Sequence, residues 1–224
     1  MSPLLPFASS ADPAALGIGC VCVVGVFVLV AVAWYFSPDQ VIKRKLKKVP
    51  STTLIAAGSA PMVRITGKVL ADGLSLVTPL SGVPCAWYGA YVDEYRHHGK
   101  SGSWHEIIKE EVASEFFLDD GSGVAVVRAV APKVSSPRDH NTGSGTFDDA
   151  SPVEEAFLKK HGRTSTGLLG LNRRLRYREA KFEAGETVTV LCQVRSLSDR
   201  RARYELVAPE GGEMLMSDDP SAVT

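Results

Sequence analysis

Side chains able to do chemistry gather at four places in this sequence. Asp93, Glu94, His97, His98 and His105 fall within one stretch that reads as a hairpin, and histidines beside carboxylates are common ligands of transition metals. Successive strand residues point to opposite faces, so the adjacent His97 and His98 cannot both turn toward one ion. Metal binding by His97, His98 and His105 is therefore the weaker reading, and hydrated loop residues the stronger. Asp119 and Asp120 could bind a cation or act as acid and base, but the Asp-Gly pair that follows suits a tight turn, which accounts for both. Arg173, Arg174 and Arg176, with Arg178 close by and Tyr177 between them, form the densest basic run outside the N-terminal third. Such a run suits a single nucleic-acid strand, anionic headgroups or an acidic protein, against the plain alternative of a solvated strand face.

Cys85 and Cys192 lie far apart in strand-like runs, and read as small buried hydrophobes; Cys20 and Cys22 lie in an apolar block. None has zinc or thioredoxin spacing. No nucleophile elbow, phosphate loop or dinucleotide fingerprint occurs, so the chain reads as a non-enzyme without a cofactor.

The elements that must position these residues follow from periodicity. Residues 63–70, 74–80, 85–95, 104–112, 116–118, 124–130, 186–194 and 203–208 alternate or cluster as strands, broken by turns rich in glycine, proline and aspartate. His97 to Gly102 is the tip of a hairpin joining 85–95 to 104–112. One helix is marked over 152–161, because Ser151 can cap it, Pro152 suits its first position and Glu154 completes a capping box. The segment 132–149 reads as a mobile loop. These features predict a mainly β (α+β) domain over 63–208, an antiparallel OB-like barrel or sandwich with one short helix. Residues 209–224 read as a flexible tail.

Ahead of that domain, residues 14–36 carry no charge and are long enough to cross a bilayer as one helix. Trp34 and Tyr35 close the span where amphipathic rings favour the lipid boundary. Lys43, Arg44, Lys45, Lys47 and Lys48 follow in a basic linker, 37–62, suited to the membrane surface. Residues 1–13 hold Asp12 and no lysine or arginine, so the positive-inside bias puts the N-terminus outside and the domain in the cytoplasm. Twenty-five basic against twenty-five acidic residues give zero net charge, which argues against a nucleic-acid partner and makes any electrostatic function local.

The ordered set of motifs resembles the GIDE, or beside-a-membrane (BAM), domain of membrane-anchored ubiquitin ligases and of bacterial membrane proteins. It comprises Gly67-Lys68-Val69; Pro79, Gly82, Pro84, Cys85 and Tyr88 within TPLSGVPCAWY; Trp104; Asp119, Gly121 and Gly123 within FFLDDGSG; Glu179; and Gly185 within AGETVTVL. The resemblance covers most of 63–194 and implies a protein of a bacterial inner membrane whose motif residues are structural. Such proteins often have a second span behind the domain, but nothing after Val194 is apolar enough to cross a bilayer, so a single pass is expected. The RING of the ligases is absent, so ligase activity does not carry over. The expectation is a membrane-anchored interaction or scaffold module whose partners are the bilayer and a protein near it. A ligase-like or hydrolytic component, or an OB-like nucleic-acid binder, is the alternative.

Overall fold

The computed structural model describes residues 25, 27–99, 101–138, 140–145, 149–167 and 171–222. The chain forms two compact units, 1–41 and 42–224. In the first, α1 covers residues 27–35. Its large side chains are open, Phe27 and Leu29 each at about 70% exposure and Trp34 at 63%. Among the described residues no helix is long and apolar enough to cross a membrane. Most of the expected span, including Cys20 and Cys22, lies outside the described residues.

The stretch read as a basic linker is partly helical: α2 covers Pro38–Lys48 and α3 covers Leu54–Ala57. Lysine-rich composition hides the two apolar positions one turn apart, Ile42 and Leu46, which are buried against Leu191, Leu215 and Ala222. Covering Leu46 completely contributes about 2 kcal/mol. The Arg64 guanidinium donates to the Leu46 carbonyl at the helix end, at 3.4 Å, and to the Ala222 carbonyl at 3.3 Å.

A closed five-stranded barrel forms the centre of the second unit. Its strands are β1 (Val63–Val69), β6 (Phe116–Asp119), β7 (Val124–Val127), β11 (Thr187–Ser196) and β12 (Tyr204–Val207), in the order β1-β6-β7-β12-β11 and back to β1. All pairings are antiparallel except β7 with β12. The period-2 pattern works as expected: Ile65, Phe116, Leu118, Ala125, Val127, Val188, Val190, Val194 and Leu206 face the core. β1 pairs with β11 as far as Lys68 and takes β6 on its other edge from Lys68; Gly67 stands just before that point, and a Cβ there would lie 2.6 Å from the Asp119 carbonyl oxygen.

The rest is built from two insertions. Between β1 and β6 come the ribbon β2 (Leu76–Val77) and β3 (Pro84–Cys85), then the long hairpin β4 (Trp87–His98) and β5 (Ser101–Ala113). Between β7 and β11 come β8 (Lys133–Ser135), β9 (His140–Ser144), α4 (Pro152–Lys160) and β10 (Leu175–Phe182). The second sheet draws on both and runs β5-β4-β10-β9, antiparallel throughout. Phe157 and Leu158 of α4 cover one of its faces, over Ala90, Val92, Ile108, Leu175 and Tyr177. Trp87 and Phe182, at the near ends of β4 and β10, reach into the barrel core with rings 5.0 Å apart.

The capping box of α4 is present as read, with Glu154 Oε2 accepting from the Ser151 amide at 2.7 Å. Three expectations are corrected. Only two residues of 74–80 are strand, because the rest is drawn into turns. The segment read as a mobile loop supplies β8 and β9, which are too short and polar to show periodicity and are held by pairing with distant strands. The segment read as a tail holds β13 (Leu215–Ser217) and a 3-10 turn over Pro220–Ala222; Met214, Leu215 and Met216 are buried, and β13 pairs with β11.

Candidate recognition face

Alternation along β10 divides the basic run between two faces. Leu175, Tyr177 and Glu179 turn toward α4, while Arg176 and Arg178 turn outward, over Asp93 and the aromatic rings of the hairpin. Tyr177 is fully buried, which pushes its phenol up to about 12, and its hydroxyl lies 3.5 Å from Ser144 Oγ. Its expected part in binding is therefore overturned, because strand period, which proximity to the arginines conceals, puts it in the core. Arg173 sits 3.5 Å from Glu94, which also takes Arg96 at 2.8 Å.

The outward face is cationic and aromatic. Asp93, 3% exposed, accepts from Arg176 Nε at 3.0 Å and from Arg178 Nη2 at 2.7 Å. Tyr95 and Trp104 are direct partners across β4 and β5, their rings 5.3 Å apart. The Arg174 guanidinium lies 4.7 Å from the Tyr95 ring and 5.6 Å from Trp104, and Arg176 lies 4.6 Å from Trp104. Arg178 and Arg138 lie over Tyr91 at 5.7 and 4.9 Å. Two guanidinia, of Arg176 and Arg178, thus share one carboxylate, and Arg174 is exposed with no carboxylate partner among the described residues. Stacking on rings fixes guanidinium planes without neutralising them, which is what an anion-binding surface requires. A shallow groove of about 350 Å³ opens beside them, bounded by Trp104, Arg174, Arg176 and the β9 residues Asn141 to Ser144.

His97 and His105 do not converge. His97 lies on the Tyr95 side of the hairpin, ring edge-on to Tyr95 at 4.9 Å. His105 pairs with Glu94 and so faces the other way, with Nε2 2.9 Å from Ser103 Oγ. The side chain of His98 lies outside the described residues. Among the described residues no three His, Cys, Asp or Glu side chains are placed to hold a metal.

The motif residues take structural positions. Burial alone would raise the Asp120 carboxyl, but the Leu54 amide at 2.6 Å, Ser122 and the Gly123 amide outweigh it and hold it below the usual range. Asp119 accepts from the Gly121 amide, and Gly121 has φ +82°. The DDGSG turn therefore also anchors the start of α3. Glu179 is wholly buried and accepts from the Leu80 amide at 2.9 Å, the Ser81 amide at 3.3 Å and the Ser81 hydroxyl, which fixes the loop containing Pro79 and Gly82 ahead of Pro84. Burial, then the Glu179 charge, push the Cys85 thiol up to about 12; burial does the same to Cys192. Neither is poised as a nucleophile. Gly123 packs under the Tyr204 ring, and Gly185 turns β10 into β11 at φ +85°.

A polar knot that the sequence does not signal centres on Glu110. It accepts from the Tyr88 hydroxyl at 2.6 Å and from Lys160 Nζ at 2.8 Å, with His161 Nε2 also 2.8 Å away. Burial would raise this carboxyl, but Lys160, Tyr88 and His161 together hold it low. Burial and Glu110 together raise the Tyr88 phenol. The arrangement ties the C-terminal end of α4 to the sheet.

Of the membrane-surface residues, Trp34 and Tyr35 are exposed on α1, Lys43 is paired with Asp219, and Lys45, Lys47 and Lys48 are exposed. No family model, curated protein or solved structure matches this chain.

Proposed function

We propose that this chain is a membrane-tethered, non-catalytic recognition module of the GIDE or BAM kind. An N-terminal span would hold an OB-like barrel at the cytoplasmic face, and the outer face of the second sheet would bind an acidic stretch of a protein partner. The observation that carries the binding reading is Arg174, exposed, held against Tyr95 and Trp104, and beside two further arginines that share Asp93. The strand order of the barrel, with one parallel pair among antiparallel ones, supports the OB-like reading. The open apolar side chains of residues 27–36 support the tether, since such a surface is stable only in apolar surroundings.

A nucleic-acid strand would need free ring faces for its bases, yet guanidinia already lie over Tyr91, Tyr95 and Trp104. Acidic peptide is therefore the favoured ligand. Full-length protein in neutral-lipid vesicles should bind a fluorescent glutamate-rich peptide, and the double variant Arg174→Glu/Arg176→Glu should lose roughly tenfold or more of that affinity. Equal binding by the variant overturns the assignment, as does tighter binding of a single-stranded oligonucleotide.

A further inference from the structure

A second surface lies away from the arginine face, where α2, β11 and β13 meet. Ile42, Leu46, Leu191, Leu215 and Ala222 form a small cluster outside the barrel, and its open end is a groove of about 350 Å³. Leu191, Leu215, Pro209, Val49 and the half-exposed Met62 make its apolar lining. Its rim carries Lys45 and Lys48 from α2, and Glu210 and Glu213 from the turn between β12 and β13.

The charges around this rim are unequal in their partners. Lys43, two residues before Lys45 on α2, is bonded to Asp219, and Glu213 lies 2.8 Å from Lys133. Lys45, Lys48 and Glu210 have no ion-pair partner among the described residues. The groove therefore offers two available cations and one available carboxylate above an apolar floor. One class of molecule carries the complement of all three: a phosphodiester for the lysines, an amine for Glu210 and a hydrocarbon chain for the floor. The volume is at the small end for ligand sites and suits part of a single acyl chain. Along the sequence, Lys45 follows Phe36, the last residue of the apolar segment, by nine positions.

We infer that the groove between α2 and the β12–β13 turn binds one phospholipid, with the phosphate on Lys45 and Lys48, an amine headgroup toward Glu210 and an acyl chain over Met62 and Leu215. The site deepens the membrane-tethered reading by giving the folded unit its own grip on lipid, separate from the span.

Full-length protein in detergent micelles, doped with a phosphatidylethanolamine carrying a diazirine on one acyl chain, tests this by irradiation and peptide mapping. Detergent keeps the outcome independent of whether residues 14–36 span a bilayer, which alkaline extraction from vesicles decides separately. Label is expected on peptides containing Val49, Met62 or Leu215, displaced by unlabelled phosphatidylethanolamine but not by inorganic phosphate or free fatty acid. Lys45→Glu/Lys48→Glu should cut it roughly tenfold, in line with losing two lysines at a headgroup. Met62→Glu should also abolish it, with thermal unfolding of both variants unchanged. Label confined to residues 1–36, labelling equal with a diazirine fatty acid, or full labelling of the lysine variant would each overturn the site.

Discussion

At the scale of single residues, carboxylates and thiols that resemble chemical groups are held in structural work. Asp120 collects amides from both its own turn and α3, whereas Asp119 takes one. Asp120→Ala should therefore cost about 1–2 kcal/mol and lower the melting temperature, with Asp119→Ala clearly milder, as differential scanning fluorimetry would show. Cys85 and Cys192 are buried and both thiols are pushed up to about 12. Mass mapping after iodoacetamide at pH 8 should find neither alkylated in the native protein and both alkylated in urea.

At the scale of elements, α4 is secured at each end by a carboxylate. Glu154 closes its capping box and accepts from Thr142 of β9 at 2.6 Å, while Glu110 binds the other end through Lys160 and His161. The Glu110 carboxyl is depressed in the folded chain, so its stabilisation is fully present above the ordinary carboxylate pKa of roughly 4.3 and is lost as pH falls through the lower folded value. Melting temperature should fall on acidification across that window in the wild type, and less steeply in Glu110→Gln. The capping box was legible because all its parts lie within four residues. The Glu110 knot was not, since Glu110 and His161 are far apart in sequence and meet only when α4 packs on the sheet.

At the scale of the whole molecule, the barrel closes by joining β1 to β11 across more than half the chain, and the two insertions cooperate to make one sheet. That sheet presents the arginine face, and α2 with β13 presents the lipid groove. If the tether reading holds, full-length protein stays with vesicles after alkaline carbonate, and protease added outside sealed cells spares the C-terminal unit. Release by carbonate, or digestion from outside, would remove the membrane and its orientation from the picture.

Local patterns in the sequence determined the barrel strands, the β4–β5 hairpin, the capped α4 and the buried cysteines, because alternation, turn glycines and capping residues act over a few positions. Tertiary structure alone decided the pairing of β8, β9 and β13, the burial of Tyr177 and the faces of His97 and His105. Short polar strands have too little pattern of their own, and gain their backbone partners only from distant segments. The same cause explains the split of the arginine run: its charge is written in the sequence, but the face each side chain takes is set by the register with β4.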